Sequence, residues 1–173
     1  VATFLIVADT TAAATTEGIL TTEGLLAAAD ILNTAYEQEP DNLEVITNLA
    51  LVEKRLQHGD RSIELLEKAC LYDEPIDVGI RALTIKNIQL IAATELANAY
   101  LVSAEKVRDE QARGEILDKA RAVVKKLGDD LRASAIIELM EGKIAMLDGN
   151  LELAASKLEV ANKKFNGANP EAV

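Results

Sequence analysis

The side chains best able to do chemistry in this sequence are few and scattered. His58 is the only histidine and Cys70 the only cysteine among 173 residues. A di-metal helical bundle needs a Glu-x-x-His pair or a second ligand beside the imidazole, and His58 has neither. It is expected to face solvent near a helix end. Cys70 falls on an apolar stripe, with no histidine on a helix that would reach it. It is expected to pack as a small hydrophobe rather than act as a nucleophile. One cysteine also excludes an internal disulfide and a thiolate metal cluster. No Gly-rich phosphate loop, Gly-x-Ser-x-Gly elbow or Cys pair occurs. Carboxylates stand together at Asp129-Asp130 and at Glu138 with Glu141, but nothing around them separates an acid from a base. The expectation is a protein that is not an enzyme and carries no catalytic residue, cofactor or metal.

The charge balance narrows the partners. A formal net charge of −11 opposes contact with nucleic-acid phosphates or an anionic membrane. The basic pairs Lys125-Lys126 and Lys163-Lys164 fall at expected helix C-termini, where cations favour the helix dipole. The apolar run Phe4-Leu5-Ile6-Val7-Ala8 stops at Asp9, far short of the roughly 20 residues of a membrane span. No basic residue precedes it and no cleavage pattern follows, so it does not read as a signal peptide. A soluble chain without membrane insertion is expected, its compartment unspecified. It begins with Val and ends shortly after Pro170, and is read as a segment of something longer.

The elements that would position any site are helices. Apolar residues make up 49% of the chain and aromatic residues 3%, a composition suited to close helix–helix contact rather than to a β-sandwich. From Leu25 to Glu39 the apolar positions recur at three and four residues, and Pro40 closes the run. Asp41 and Asn42 offer cap oxygens for a helix ending at His58-Gly59, where Gly59 is placed as the stop. Asp60 is expected to cap the next, with Ile63, Leu66, Ala69 and Cys70 on its stripe. One long helical region runs from Asp77 to about Arg108 with two apolar rows, one through Ile80, Leu83, Ile88 and Ile91 and the other through Ile85, Ala92, Ala93, Leu96, Tyr100 and Val107, as expected of a helix packed on two sides. Gly114 is expected to punctuate the turn into Ile116–Leu127, which Gly128-Asp129-Asp130 ends. Leu131–Leu147 and Leu151–Phe165 follow, separated by Asp148-Gly149-Asn150.

Self-comparison reveals a repeat. Ala28, Leu32 and Ala35 recur 34 residues later as Ser62, Leu66 and Ala69, and Pro40 recurs as Pro75, one place off. A shift of 34 residues is the period of the tetratricopeptide repeat family, and near the end Gly142, Ala145, Gly149, Ala154, Ala155, Leu158 and Ala161 resemble that family's spacings without a gap. Over residues 22–165 the chain resembles the tetratricopeptide repeat family, with three to four degenerate repeats. The resemblance implies an all-α fold of about seven to eight helices in a right-handed superhelical stack of antiparallel hairpins. It also implies a single domain over 1–173, with hairpins at 2–39, 42–73, 77–127 and 130–165. Gly59 implies a rearranged turn in the second hairpin. An insertion between Tyr100 and Ala120 makes the third irregular. Small residues at Ala50, Ala97 and Gly142 would let paired helices approach closely.

The resemblance further implies a scaffold for protein–protein interaction, binding a peptide or helix of a partner on its concave face. That face would carry Glu44, Thr47, Asn48, Leu51, Lys54 and Arg55 from the second hairpin. The third would add Thr94, Glu95 and Asn98, and the fourth Leu139, Met140 and Lys143. Asn48 matches the asparagine that family members use to hydrogen-bond a peptide backbone, a task an amide suits because it donates and accepts. Glu44 and Glu95 oppose the use of this face to grip a peptide carboxylate. For Leu139 and Met140, packing against a further repeat of the parent protein is the competing expectation. Two alternatives remain beside the scaffold: a structural spacer or self-association module of a larger repeat protein, and a helical sensor with a small ligand between hairpins. Only the sensor requires a deep enclosed pocket.

Overall fold

In a computed structural model, residues 21–71, 80–128 and 134–166 are described. Among them every regular element is a helix, seven in all. They are α1 (Thr22–Gln38), α2 (Leu43–Arg55), α3 (Gly59–Cys70), α4 (Ile80–Lys106), α5 (Glu110–Leu127), α6 (Ser134–Leu147) and α7 (Leu151–Phe165). The chain is therefore all-α, as its composition predicts. It divides into two compact units, Val1–Ile88 and Gln89–Val173. The expected helix over the first twenty residues lies outside the described residues, as do Pro75, Asp129 and Asp130.

In the first unit the starts of α1 and α2 have a sequence cause. Thr21 caps α1, its hydroxyl accepting from the Gly24 amide at 3.1 Å. The Asn42 side chain accepts from the amides of Glu44 and Val45 at 3.1 and 3.2 Å. These oxygens satisfy amides that have no partner inside the helix. α2 supplies the densest core, with Ile46, Leu49, Ala50 and Val52 almost wholly buried. It packs on α1 and on α3. The buried Ser62 hydroxyl donates to the Ala50 carbonyl at 2.8 Å, which closes α2 against α3 at their small residues. Glu53, one turn later on α2, meets His58 and Arg61. Contacts thus run up one helix and down the other, the signature of an antiparallel pair.

α1 and α3 run parallel. Arg61 donates to Asn33 at 3.3 Å and Lys68 to the Tyr36 hydroxyl at 3.4 Å, so residue numbers rise together along both helices. The two segments that echo each other at 34 residues are therefore neighbours that point the same way. Their burial differs: Ser62, Leu66 and Ala69 are buried, whereas Ala28, Leu32 and Ala35 are half-buried.

The turn between α2 and α3 departs from expectation. Gly59 does not stop α2; it is the first residue of α3, and Asp60 lies in that helix's first turn. The stop is Gln57, in the left-handed conformation with φ 65°. Its amide donates to the Lys54 carbonyl at 3.1 Å, and the His58 amide donates to Glu53 at 2.9 Å. That pair of bonds is the Schellman arrangement, which usually places glycine at the left-handed position. Between α6 and α7 the same pattern recurs with glycine: Gly149 has φ 80°, its amide reaches the Met146 carbonyl at 3.1 Å, and the Asn150 amide reaches Ala145 at 2.9 Å. The turn at Gly59 is not rearranged. A glutamine occupies the glycine's place in it.

In the second unit α6 and α7 form the closest pair. A Cβ built on Gly142 would lie 2.8 Å from Leu158 Cγ and 3.3 Å from the Leu158 nitrogen. Absence of a side chain at Gly142 is what allows this approach. Asp109 caps α5 through its carboxylate, which accepts from the Ala112 amide at 2.8 Å. α5 therefore opens at Glu110, and Gly114 lies within it rather than at a turn. The extra residues between Tyr100 and Ala120 are taken up by carrying α4 on to Lys106 and starting α5 early. α4 buries Ile88, Ala92, Ala93, Leu96, Ala97, Tyr100, Leu101 and Ala104, while Leu83, expected in its apolar row, is exposed.

Candidate partner-binding faces

In the first unit the face follows from helical spacing. Glu44, Asn48, Leu51 and Arg55 recur at four, three and four residues and so share one side of α2. The first three are half-exposed and Arg55 is exposed. Lys54 is exposed but stands off this line. Thr47, expected beside Asn48, is only 3% exposed. It lies four residues after buried Leu43 and three before buried Ala50, which turns it inward. Its hydroxyl is buried and has no hydrogen-bond partner.

In the second unit two helices contribute. Thr94, Glu95 and Asn98 on α4 and Leu139 and Lys143 on α6 are half-exposed. The Lys143 ammonium donates to the Asn98 side-chain oxygen at 3.5 Å, joining the two helices across 45 residues of sequence. Met140 does not belong to this face. It is 1% exposed and sits with Ile144, one turn on, in the core. One residue is a rotation of about 100° on a helix, enough to carry Met140 inside while Leu139 stays at the surface. Met146, which the sequence comparison missed, is 46% exposed. It stands seven residues from Leu139 and three from Lys143, a spacing that could have revealed it. Thr94 resembles Thr47 in having a buried hydroxyl without a partner.

Polar side chains elsewhere are engaged in holding helices together. Glu138 on α6 accepts from Lys157 and Lys164 of α7, each at 3.0 Å. Burial raises the Glu138 carboxyl, but the bonds from Lys157 and Lys164 outweigh it and hold the group below its ordinary value. Lys157 is raised in turn, first by its bond to Glu141 and then by Glu138. Arg121 on α5 is raised chiefly by its bond to Asp148, at the end of α6, and also pairs with Asp118 at 2.6 Å. Lys68 is lowered by burial, yet its bonds to the Tyr36 hydroxyl and Asp41 leave it raised. The paired glutamates at 138 and 141 thus act as clamps between α6 and α7.

His58 is exposed, and its Nδ1 lies 2.7 Å from Oε2 of Glu53. Glu53 is buried, a charged residue that apolar patterning gave no reason to place inside. Cys70 is half-buried rather than within the core. Among the described residues no group of three or more His, Cys, Asp and Glu side chains could hold a metal ion. No described helix is long and apolar enough to cross a membrane. No family model matches the chain, and neither does any curated protein or solved structure.

Proposed function

We propose that this chain is a protein–protein interaction scaffold of the tetratricopeptide type, with two candidate surfaces for a peptide or helix of a partner: the open side of α2 in the first unit and that of α4 and α6 in the second. The observation that carries this reading is the Lys143–Asn98 contact. An ammonium and an amide from two different helices meet at a half-exposed position, flanked by Leu139 and Met146. Such a mixed polar and apolar surface offers both backbone hydrogen bonding and side-chain contact to an extended or helical ligand. The 34-residue echo and the parallel course of α1 and α3 support the family assignment.

Photo-crosslinking tests it. A benzophenone side chain placed at Leu51 or Leu139 should capture a partner, and one placed at Glu159 should not. Lys143→Glu should weaken capture from Leu139 while leaving the helical circular dichroism unchanged. Equal capture from all three positions would overturn the assignment of the face.

A further inference from the structure

Among the described helices α1 alone holds no Lys, Arg or His. Residues 1–53 contain nine Asp and Glu and no Lys, Arg or His, so this stretch carries nine of the eleven net negative charges. Three of those carboxylates, Glu23, Asp30 and Glu37, are exposed and stand seven residues apart, about 10.5 Å per step along one line of the helix. None of the three has an ion pair among the described residues. Beside that line two aliphatic side chains project into solvent, Leu26 at 50% and Ile31 at 71% exposure. Ordinary solvated helix faces alternate charge or hide their aliphatics; this one does neither.

We propose that the outer face of α1 is a second docking surface, and that its occupant is a cationic amphipathic helix of another protein. The spacing selects a helix. Cations at seven-residue intervals on a helix repeat at about the same 10.5 Å and stay on one side. An extended strand covers that distance in about three residues, which places successive cations on opposite faces. Charge selects the sign, since Glu23, Asp30 and Glu37 have no ion pair among the described residues and α1 itself holds no Lys, Arg or His. Leu26 and Ile31, about 140° apart around the helix and so on opposite flanks of the acidic line, give the contact its apolar edges, against which the occupant sets apolar residues on either side of its Lys or Arg line. The net negative charge also speeds encounter with a basic partner and disfavours a second copy of this chain.

The test uses the whole chain and a synthetic peptide of three Leu/Lys heptads, titrated by fluorescence anisotropy at low and moderate salt. The ordered peptide should bind at least tenfold tighter than a peptide of the same composition in scrambled order. Asp30→Lys with Glu37→Lys should weaken binding at least tenfold. Ile31→Gln should weaken it several-fold, an effect that persists when salt is raised. Circular dichroism of each variant should match the parent, because all three positions are exposed. Glu152→Lys with Glu159→Lys, carried on α7, should leave binding unchanged, and so should Lys143→Glu, which separates this surface from the α4 and α6 face. Equal binding of the ordered and scrambled peptides, or equal loss from the α7 variant, would overturn the proposal.

Discussion

Gly142 and Leu158 are so close that no side chain fits between them: a Cβ on Gly142 would stand 2.8 Å from the branch carbon of Leu158. Cδ2 of Leu158 would stand at 2.9 Å and its backbone nitrogen, which the helix holds fixed, at 3.3 Å. Gly142→Leu should therefore cost about 3 kcal/mol by overpacking. Gly142→Ala should still cost about 1 kcal/mol, although alanine is the better helix former by a similar amount. Urea denaturation reads both. Adding Leu158→Ala to Gly142→Ala should return part of the loss, as expected of coupled neighbours.

Gln57 holds a left-handed conformation that suits glycine. The strain of a side chain there is about 1 kcal/mol, so Gln57→Gly should raise stability by roughly that amount. The opposite exchange, Gly149→Gln at the matching turn, should lower it by about 1 kcal/mol. If the two changes shift the denaturation midpoint in the same direction, the equivalence of the two turns is wrong.

Gly114 lies inside α5 with nothing within 4 Å of a Cβ placed there. Gly114→Ala should stabilise the protein by about 0.5–1 kcal/mol, because the helix gains propensity and the unfolded chain loses freedom. The melting temperature should rise accordingly. A fall would mean that the glycine serves a contact.

Thr47 buries a hydroxyl that has no partner. Thr47→Val keeps the shape and removes the stranded polar atom, so it should stabilise by about 1 kcal/mol. Unchanged partner capture by this variant would agree with Thr47 lying beneath the α2 surface rather than on it.

Glu138 has its carboxyl held below the ordinary value of 4.5 by Lys157 and Lys164, against the opposing effect of burial. The unfolded chain thus binds a proton more readily than the folded one. Stability from this group is present above about pH 4.5 and is lost as pH falls through the lower folded-state value. Glu138→Gln should cost about 2 kcal/mol at neutral pH and flatten the stability profile between pH 5 and 3. An unaltered acid slope would dissociate the clamp from acid unfolding.

Helix positions were legible wherever a local signal sufficed. Asn42 caps α2, and the spacing of Ser62, Leu66 and Ala69 marks the buried side of α3, because caps and stripes involve residues a turn apart. The α2–α3 turn was not legible, since Gly59 advertises a stop and Gln57, which makes it, advertises nothing. Gly114 misled for the same reason: glycine signals a turn by propensity, and here the Asp109 cap sets the start of α5 instead. The candidate face was legible as a set of helices, but not at single-residue resolution. Thr47 and Met140 each sit a fraction of a turn from an open neighbour, and that rotation depends on packing against other helices. The Lys143–Asn98 contact joins residues too distant in sequence for any local pattern to predict.

Lys68 reaches across from α3 to three points where α1 leaves off: the Tyr36 hydroxyl, the Pro40 carbonyl and the Asp41 carboxylate, with its ammonium 5.1 Å from the centre of the Tyr36 ring. α1 itself buries a single side chain, Ala29. Half-buried Leu25, Ala28, Leu32, Ala35 and Tyr36 supply its remaining apolar contact, and the latch pins its C-terminal end, so local fraying of α1 is expected to begin at its N-terminal end. Amide exchange along the helix should slow from Leu25 towards Gln38, and that gradient should level out when lysine acetylation strips the latch of its charge.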